Sequence, residues 1–275
     1  MMDIVTGVLL VAIGIFAGGY GAIVGAGGGF LFVPALLLLF HVDPVLAAGT
    51  GLVIVLINSL SGVFGFAKQK RIDYRTGIML GIGAFPGTFI GVQLLQAYSS
   101  TYFYFFFASV LVFLGFFLVV KNTNLLKKKN MTKEVKKETA ATGESENNVS
   151  SSLQVNTRLQ GKWLIPLGLF MGILSSYLGI GGGWMLVPIL VYIFRVPTHI
   201  ATATSIFSLC LYSSVGVFLQ VWHGNIDWLI VAFGGAGIII GSQLGVLLSQ
   251  KIPSRVIMQM LSFLLIIIGF RMYFH

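Results

Sequence analysis

Two stretches decide how this chain is built: GAGGGFLFVP, Gly25 to Pro34, and GIGGGWMLVP, Gly179 to Pro188. Consecutive glycines break a helix and leave backbone N–H groups exposed, and the helix that restarts after them adds the positive end of its dipole. Each glycine run is therefore a place where continuous helix stops and begins again. Working outward, Gly14 to Gln96 aligns without a gap on Gly168 to Gln250, with about a third of the positions identical. Further anchors are AAGTG (Ala47 to Gly51) against ATATS (Ala201 to Ser205), SLSGVF (Ser59 to Phe64) against SSVGVF (Ser213 to Phe218), and RIDY (Arg71 to Tyr74) against NIDW (Asn225 to Trp228). The chain is a duplication.

The solvent around this duplicated unit follows from composition. Of 275 residues, 56% are hydrophobic and 9% charged, against roughly 25% charged in a soluble domain. No Asp, Glu, Lys or Arg occurs between Thr76 and Val120, between Trp163 and Phe194, or between Trp228 and Gln250. About 20 apolar helical residues cross a hydrocarbon core of roughly 30 Å, so the expected fold class is an all-α integral membrane protein. It has two homologous repeats of four to five transmembrane segments, with a glycine-broken helix in each. The apolar segments run 4–24, 29–41, 44–67, 76–97 and 101–121, then 163–178, 183–195, 198–222, 228–250 and 255–273. The segment after each glycine run reaches only about 18 to 20 Å, which puts one of its ends inside the membrane. The N-terminus lacks the basic residues and cleavage pattern of a signal peptide and reads as a retained first helix.

Residues 1–121 are expected to form the first repeat, 122–160 a disordered polar cytoplasmic linker, and 161–275 the second repeat. Eight of the 17 Lys and Arg lie between Lys121 and Arg158. The net charge of +9 thus reflects membrane topology and contact with anionic lipid rather than a nucleic-acid surface. If every segment crosses, the halves are inverted. With the linker cytoplasmic, Lys68, Lys70, Arg71, Arg75, Lys162, Arg195, Lys251 and Arg255 then lie inside and only Arg271 outside. With four crossings per half the repeats run parallel, and Arg195, Lys251 and Arg255 move outside. The positive-inside rule favours ten segments in inverted repeats over eight in parallel.

The two glycine triplets, Gly27, Gly28, Gly29 and Gly181, Gly182, Gly183, are the leading candidates for an anion cradle needing no charged side chain. The competing reading is close helix packing. That reading fits Gly83, Gly87 and Gly91, or Gly237, Gly241 and Gly245, where the spacing is four. Thr50 and Thr204 at matched positions, and Ser205, are hydroxyls near the start of the following helix; each can donate to an oxyanion or bond its own backbone. Asn58, Ser59, Ser61, Tyr212, Ser213 and Ser214 add neutral polar groups further along the same helices, and Asn58, Ser59 and Ser213 join the candidate substrate contacts.

Asp73 and Asp227 match across the repeats but stand just before apolar segments, as helix N-caps do. The aromatic run from Tyr102 to Phe107 reads as lipid-facing. Cys210 is the single cysteine, and the histidines show no metal spacing. No P-loop, zinc motif or deep carboxylate appears, so no enzyme, resident ATPase or cofactor is expected.

The doubled GxGGGxxxxP, the AxGT-like starts at Ala47 and Ala201, the length and the polar mid-chain linker resemble the TauE/SafE family of sulfite-exporter-like membrane proteins. The resemblance covers nearly the whole chain except the linker. It implies a permease of the cell membrane that moves sulfite, thiosulfate or an organosulfonate such as sulfoacetate; the repeat architecture itself points to alternating access, one half rocking against the other. The partners are then a small anionic substrate and the bilayer; no coupling ion is assigned, and a homo-oligomer is compatible. The rival from another class is a non-transporting membrane assembly or sensor protein acting through the basic linker. Deleting Lys127 to Ser150 separates the two: flux in proteoliposomes is expected to persist, whereas an adaptor working through the linker loses its function.

Overall fold

A computed structural model describes residues 4–97, 103–120 and 161–273; the expected linker, 122–160, lies outside them. The described residues form ten helices and no strand. They are α1 (Ile4–Val24), α2 (Gly29–Leu39), α3 (Pro44–Lys68), α4 (Tyr74–Ala97) and α5 (Phe103–Val120). Then follow α6 (Gly161–Leu178), α7 (Gly183–Tyr192), α8 (Thr198–Trp222), α9 (Trp228–Ser249) and α10 (Ser254–Tyr273). Seven of them, α1, α3, α4, α5, α8, α9 and α10, are long and apolar enough to cross a bilayer. The two helices after the glycine runs end at Leu39 and Tyr192, and with 11 and 10 residues they reach only about 15 Å.

Aspartates start three of the long helices, α3, α4 and α9. The Asp43 carboxylate accepts from Val45 N at 2.9 Å, and that of Asp227 from Leu229 N and Ile230 N at 2.9 and 3.1 Å. Asp73 takes Thr76 N at 3.2 Å and the Thr76 hydroxyl at 2.7 Å. Asp73 and Asp227 are thus caps, each worth about 1 kcal/mol, and neither is part of a buried acid pair.

Two helices, α4 and α9, are dressed inside out relative to a soluble bundle. In α4 the buried positions include Gly77, Gly81, Gly83, Gly87 and Gly91, while Phe85 is 60% and Phe89 54% exposed. In α9 Gly234, Gly237, Gly241 and Gly245 are buried, and Ile239, Ile240, Leu244 and Leu247 face outward. Lipid solvates large apolar side chains as well as a core does, so helices associate through backbone approach at small residues. Both four-spaced glycine rows do this. A Cβ at Gly83, Gly87 or Gly91 would overlap the carbonyls of Ile165, Leu169 and Ile173 on α6; one at Gly237, Gly241 or Gly245 would overlap those of Val11, Ile15 and Gly19 on α1.

These contacts are repeat-equivalent, and they cross between the halves: the first helix of each half lies on the fourth helix of the other. They also fix direction. Contacts Gly7 to Phe233, Gly14 to Gly237 and Gly18 to Ile238 make α1 and α9 parallel. Gly65 meets Val246 and Gly234 meets Ile54, so α3 runs the same way. Gly62 against Ile206 and Gly216 against Leu52 make α3 and α8 antiparallel, as do Gly115 with Ile266 and Gly269 with Val112 for α5 and α10. Matched helices therefore point in opposite directions, and the parallel eight-crossing alternative is overturned. The ends of α3 and α9 and the starts of α4, α8 and α10 share one side, which gathers Lys68, Lys70, Arg71, Arg75, Arg195, Lys251 and Arg255.

One local expectation needs correction. The aromatic run is not uniformly lipid-facing: Phe105 and Phe106 are 55% and 42% exposed, but Phe103 and Phe107 are buried, with Phe103 against Tyr177. A helix turns 100° per residue, so a run of consecutive aromatics cannot all lie on one face. In a Cys210→Ala background, Lys70→Cys, Arg195→Cys and Lys251→Cys are expected to react with a membrane-impermeant maleimide from one face, and His41→Cys and His223→Cys from the other. Labelling of positions 70 and 195 from opposite faces would reject the inverted arrangement.

Candidate functional site

The glycine runs meet half-way through the protein. Val55 and Leu209 are repeat-equivalent and stand midway along α3 and α8. A Cβ at Gly27 would lie 3.2 Å from Val55 Cγ1 and 3.0 Å from Leu209 Cδ1, and one at Gly181 3.0 Å from Val55 Cγ1 and 2.9 Å from Leu209 Cδ2. The two breaks also touch each other. A Cβ at Gly29 would come within 3.0 Å of the Ile180 carbonyl, and one at Gly183 would overlap that of Gly25. Gly25 to Gly29 and Gly179 to Gly183 are buried throughout. In this conformation the breaks are closed over, with Val55 and Leu209 packed against Gly27 and Gly181.

Only glycine permits this backbone. Gly25, Gly27 and Gly28 have φ of 82°, 81° and 73°, and Gly179 and Gly181 have 70° and 75°, a region that costs an L side chain roughly 1–2 kcal/mol. The Gly21 carbonyl accepts from Gly25 N and Ala26 N, both at 2.9 Å, and Gly29 N donates to the Gly27 carbonyl at 2.9 Å. Gly28 N–H has no acceptor among the described residues. In the second break Gly182 N donates to the Tyr212 hydroxyl at 3.1 Å.

Of the side chains expected to line the site, Asn58 and Ser59 stand at the first break. Asn58 Nδ2 would be 3.0 Å from a Cβ at Gly28 or Gly21, and Ser59 Oγ 3.8 Å from one at Gly27. Ser205 Oγ donates to the Gly25 carbonyl at 2.8 Å and stitches the second half to the first break. Ser213 turns back to the Leu209 carbonyl of its own helix. The Thr50 hydroxyl accepts from Asp227 N and that of Thr204 from Asp73 N, each at 3.0 Å. These two threonines tie each half to the capping loop of the other, toward opposite ends of the molecule.

Asn58 Nδ2 and Oδ1 and Ser59 Oγ are buried with no partner, and so are Ser176 Oγ and Trp184 Nε1. An unpaired buried polar atom costs about 1–3 kcal/mol, so a native protein keeping several in its centre calls for an explanation. Ser176 and Trp184 were not foreseen, since nothing in their spacing marks them; the pairing of Tyr212 with Gly182 had a signal, because Tyr212 aligns with Asn58. At the basic end, a cavity of about 490 Å³ opens between α3 and α9, bordered by Lys68, Gln69, Gln243 and Gln250. Among the described residues no three His, Cys, Asp or Glu side chains gather as metal ligands would.

The sequence profile of the family described as Sulfite exporter TauE/SafE matches residues 10–272. The chain belongs to the TauE/SafE family. It is 28% identical to the "Probable membrane transporter protein YunE" of Bacillus subtilis (strain 168) over 269 residues, 95% of each chain. It is also 28% identical to a "Probable membrane transporter protein" of Methanocaldococcus jannaschii over 279 residues, covering 95% of this chain and 93% of the relative. No solved structure is significantly similar. This TauE/SafE protein is therefore a multi-pass membrane transporter with a small-molecule substrate.

Thr50→Val and Thr204→Val each remove an acceptor from a backbone N–H, at a stability cost of about 1 kcal/mol. Each variant is expected to melt a few degrees lower while keeping its transport rate. Loss of transport at unchanged melting temperature would return these hydroxyls to the substrate path.

Proposed function

We propose that this transporter carries a small sulfur anion, sulfite, thiosulfate or an organosulfonate such as sulfoacetate, through the junction of its two glycine breaks. The observation that carries this reading is the junction itself. Two interruptions of helix lie against each other midway along α3 and α8, beside the uncharged donors of Asn58 and Ser59, all buried. Irregular backbone at membrane depth is tolerated where protein or a wet cavity satisfies it, and paired half-helix starts near the midplane are where transporters hold anions. Neutral donors suit a weakly held guest that must also be released. The family description points to a sulfur anion.

Access then requires the closed junction to part. The exchange of first helices makes the moving bodies cross-half groups, α1, α2, α3 and α9 against α6, α7, α8 and α4. Their shared seam is the antiparallel contact of α3 with α8, where Val55 and Leu209 lie. Alternating access is a rocking along that seam, exposing the breaks first to one side and then to the other. By the positive-inside rule the end bearing Lys68, Lys70, Arg195 and Lys251 faces the cytoplasm.

The test is flux of sulfite, thiosulfate and sulfoacetate in proteoliposomes, with Val55→Phe and Leu209→Phe thickening the side chains over the breaks. At least one of these anions is expected to move, and each variant to slow it about tenfold, equivalent to roughly 1.4 kcal/mol. Folded variants with wild-type flux would show that the path does not pass the junction.

A further inference from the structure

The left-handed backbone positions of the two halves correspond except at one place, and that place is inside the junction. Left-handed backbone recurs at repeat-equivalent positions: Gly25 with Gly179, Gly27 with Gly181, His41 with Arg195, and Lys70 with Gly224. The single mismatch is Gly28, with φ of 73°, against Gly182, with φ of −84°. The side chains facing these two glycines also differ. Gly182 N–H is bound by the Tyr212 hydroxyl at 3.1 Å. The residue equivalent to Tyr212 is Asn58, which faces Gly28, is 0% exposed and leaves both polar atoms of its side chain unpaired. The neighbouring pair diverges in the same sense, since Ser213 is satisfied by its own helix while Ser59, also 0% exposed, has no partner.

We propose that only the first break receives the anion, one oxygen group bound by Gly28 N–H, Asn58 Nδ2 and Ser59 Oγ, while the Tyr212 hydroxyl holds the equivalent seat in the second break. Resting on the proposed anion transport, this makes the transporter a pseudo-symmetric scaffold with a single, asymmetric oxyanion site. The tyrosine oxygen does for Gly182 what a ligand oxygen does for Gly28: it accepts from a helix-start N–H in a dry interior, where an unmet donor is costly. In the first break no oxygen of the described residues is bonded to Gly28 N–H, and the unpaired groups gathered there include three donors, Gly28 N–H, Asn58 Nδ2 and Ser59 Oγ, a set that suits an oxyanion better than a cation. Asn58 Oδ1 adds one acceptor, which suits a guest or a water carrying a proton beside its charged oxygens.

The purified full-length transporter is tested by thermal shift and proteoliposome flux with sulfite, thiosulfate and sulfoacetate, with chloride as control. Asn58→Leu and Ser59→Ala remove unpaired buried groups, so the unliganded protein is expected to melt at the wild-type temperature or above. Both variants are expected to lose the anion-dependent shift and at least about tenfold in flux, the equivalent of one lost hydrogen bond. Should Asn58→Leu fail to fold, Asn58→Ser carries the same expectation. Tyr212→Phe is expected to do the reverse, lowering the unliganded melting temperature by orphaning Gly182 N–H while keeping the anion-dependent shift.

If the wild type responds and Tyr212→Phe abolishes that response as fully as Asn58→Leu, the asymmetry is wrong while anion transport stands. An Asn58→Leu protein that retains its shift and flux overturns the site. If the wild type responds to none of the three anions, the sulfur-anion reading falls and this inference with it.

Discussion

The structure depends on how unpaired backbone is accommodated where water is scarce. A helix that stops in the middle of a membrane exposes N–H and C=O groups whose desolvation costs several kcal/mol each unless protein covers them. Here each break covers the other. Gly29 approaches the Ile180 carbonyl, Gly183 presses on Gly25, and Val55 and Leu209 close the remaining sides. Each break is thus buried in part by residues of the other half.

The same mutual dependence explains the exchange of first helices. With lipid solvating large apolar side chains, association has to come from close backbone contact, and the four-spaced glycines of α4 and α9 supply it. Their grooves are filled by α6 and α1, one from each opposite half. The cross-half bonds of Thr50 to Asp227 N and Thr204 to Asp73 N fasten the same arrangement at its ends. Two interlocked groups of helices result, which meet where α3 crosses α8 and where the two breaks touch.

The glycine motifs, the inversion of the halves and the caps at Asp73 and Asp227 were legible because each rests on local chemistry or on charge placement. Side-chain partners were less so. Thr50, Thr204 and Ser205 read as hydroxyls near a break, yet their partners lie more than a hundred residues away in sequence, and spacing carries no information about such contacts. The aromatic run misled for a related reason. Composition marks it as lipid-facing, but helical rotation sends Phe103 and Phe107 inward, Phe103 against Tyr177 of α6.

By itself the sequence determined that the chain lives in a bilayer, that it is built twice from one unit, and where its helices break. Those are consequences of charge-free length, of internal identity and of missing Cβ atoms, all readable along the chain. Only the tertiary structure decided that α1 and α6 change places, that the two breaks are buried against each other, and that Tyr212 satisfies one of them while Asn58 is left unpaired at the other. These facts depend on which donors and acceptors come within about 3 Å after the helices pack, and a one-residue difference between repeats acquires meaning only once its neighbour across the fold is known.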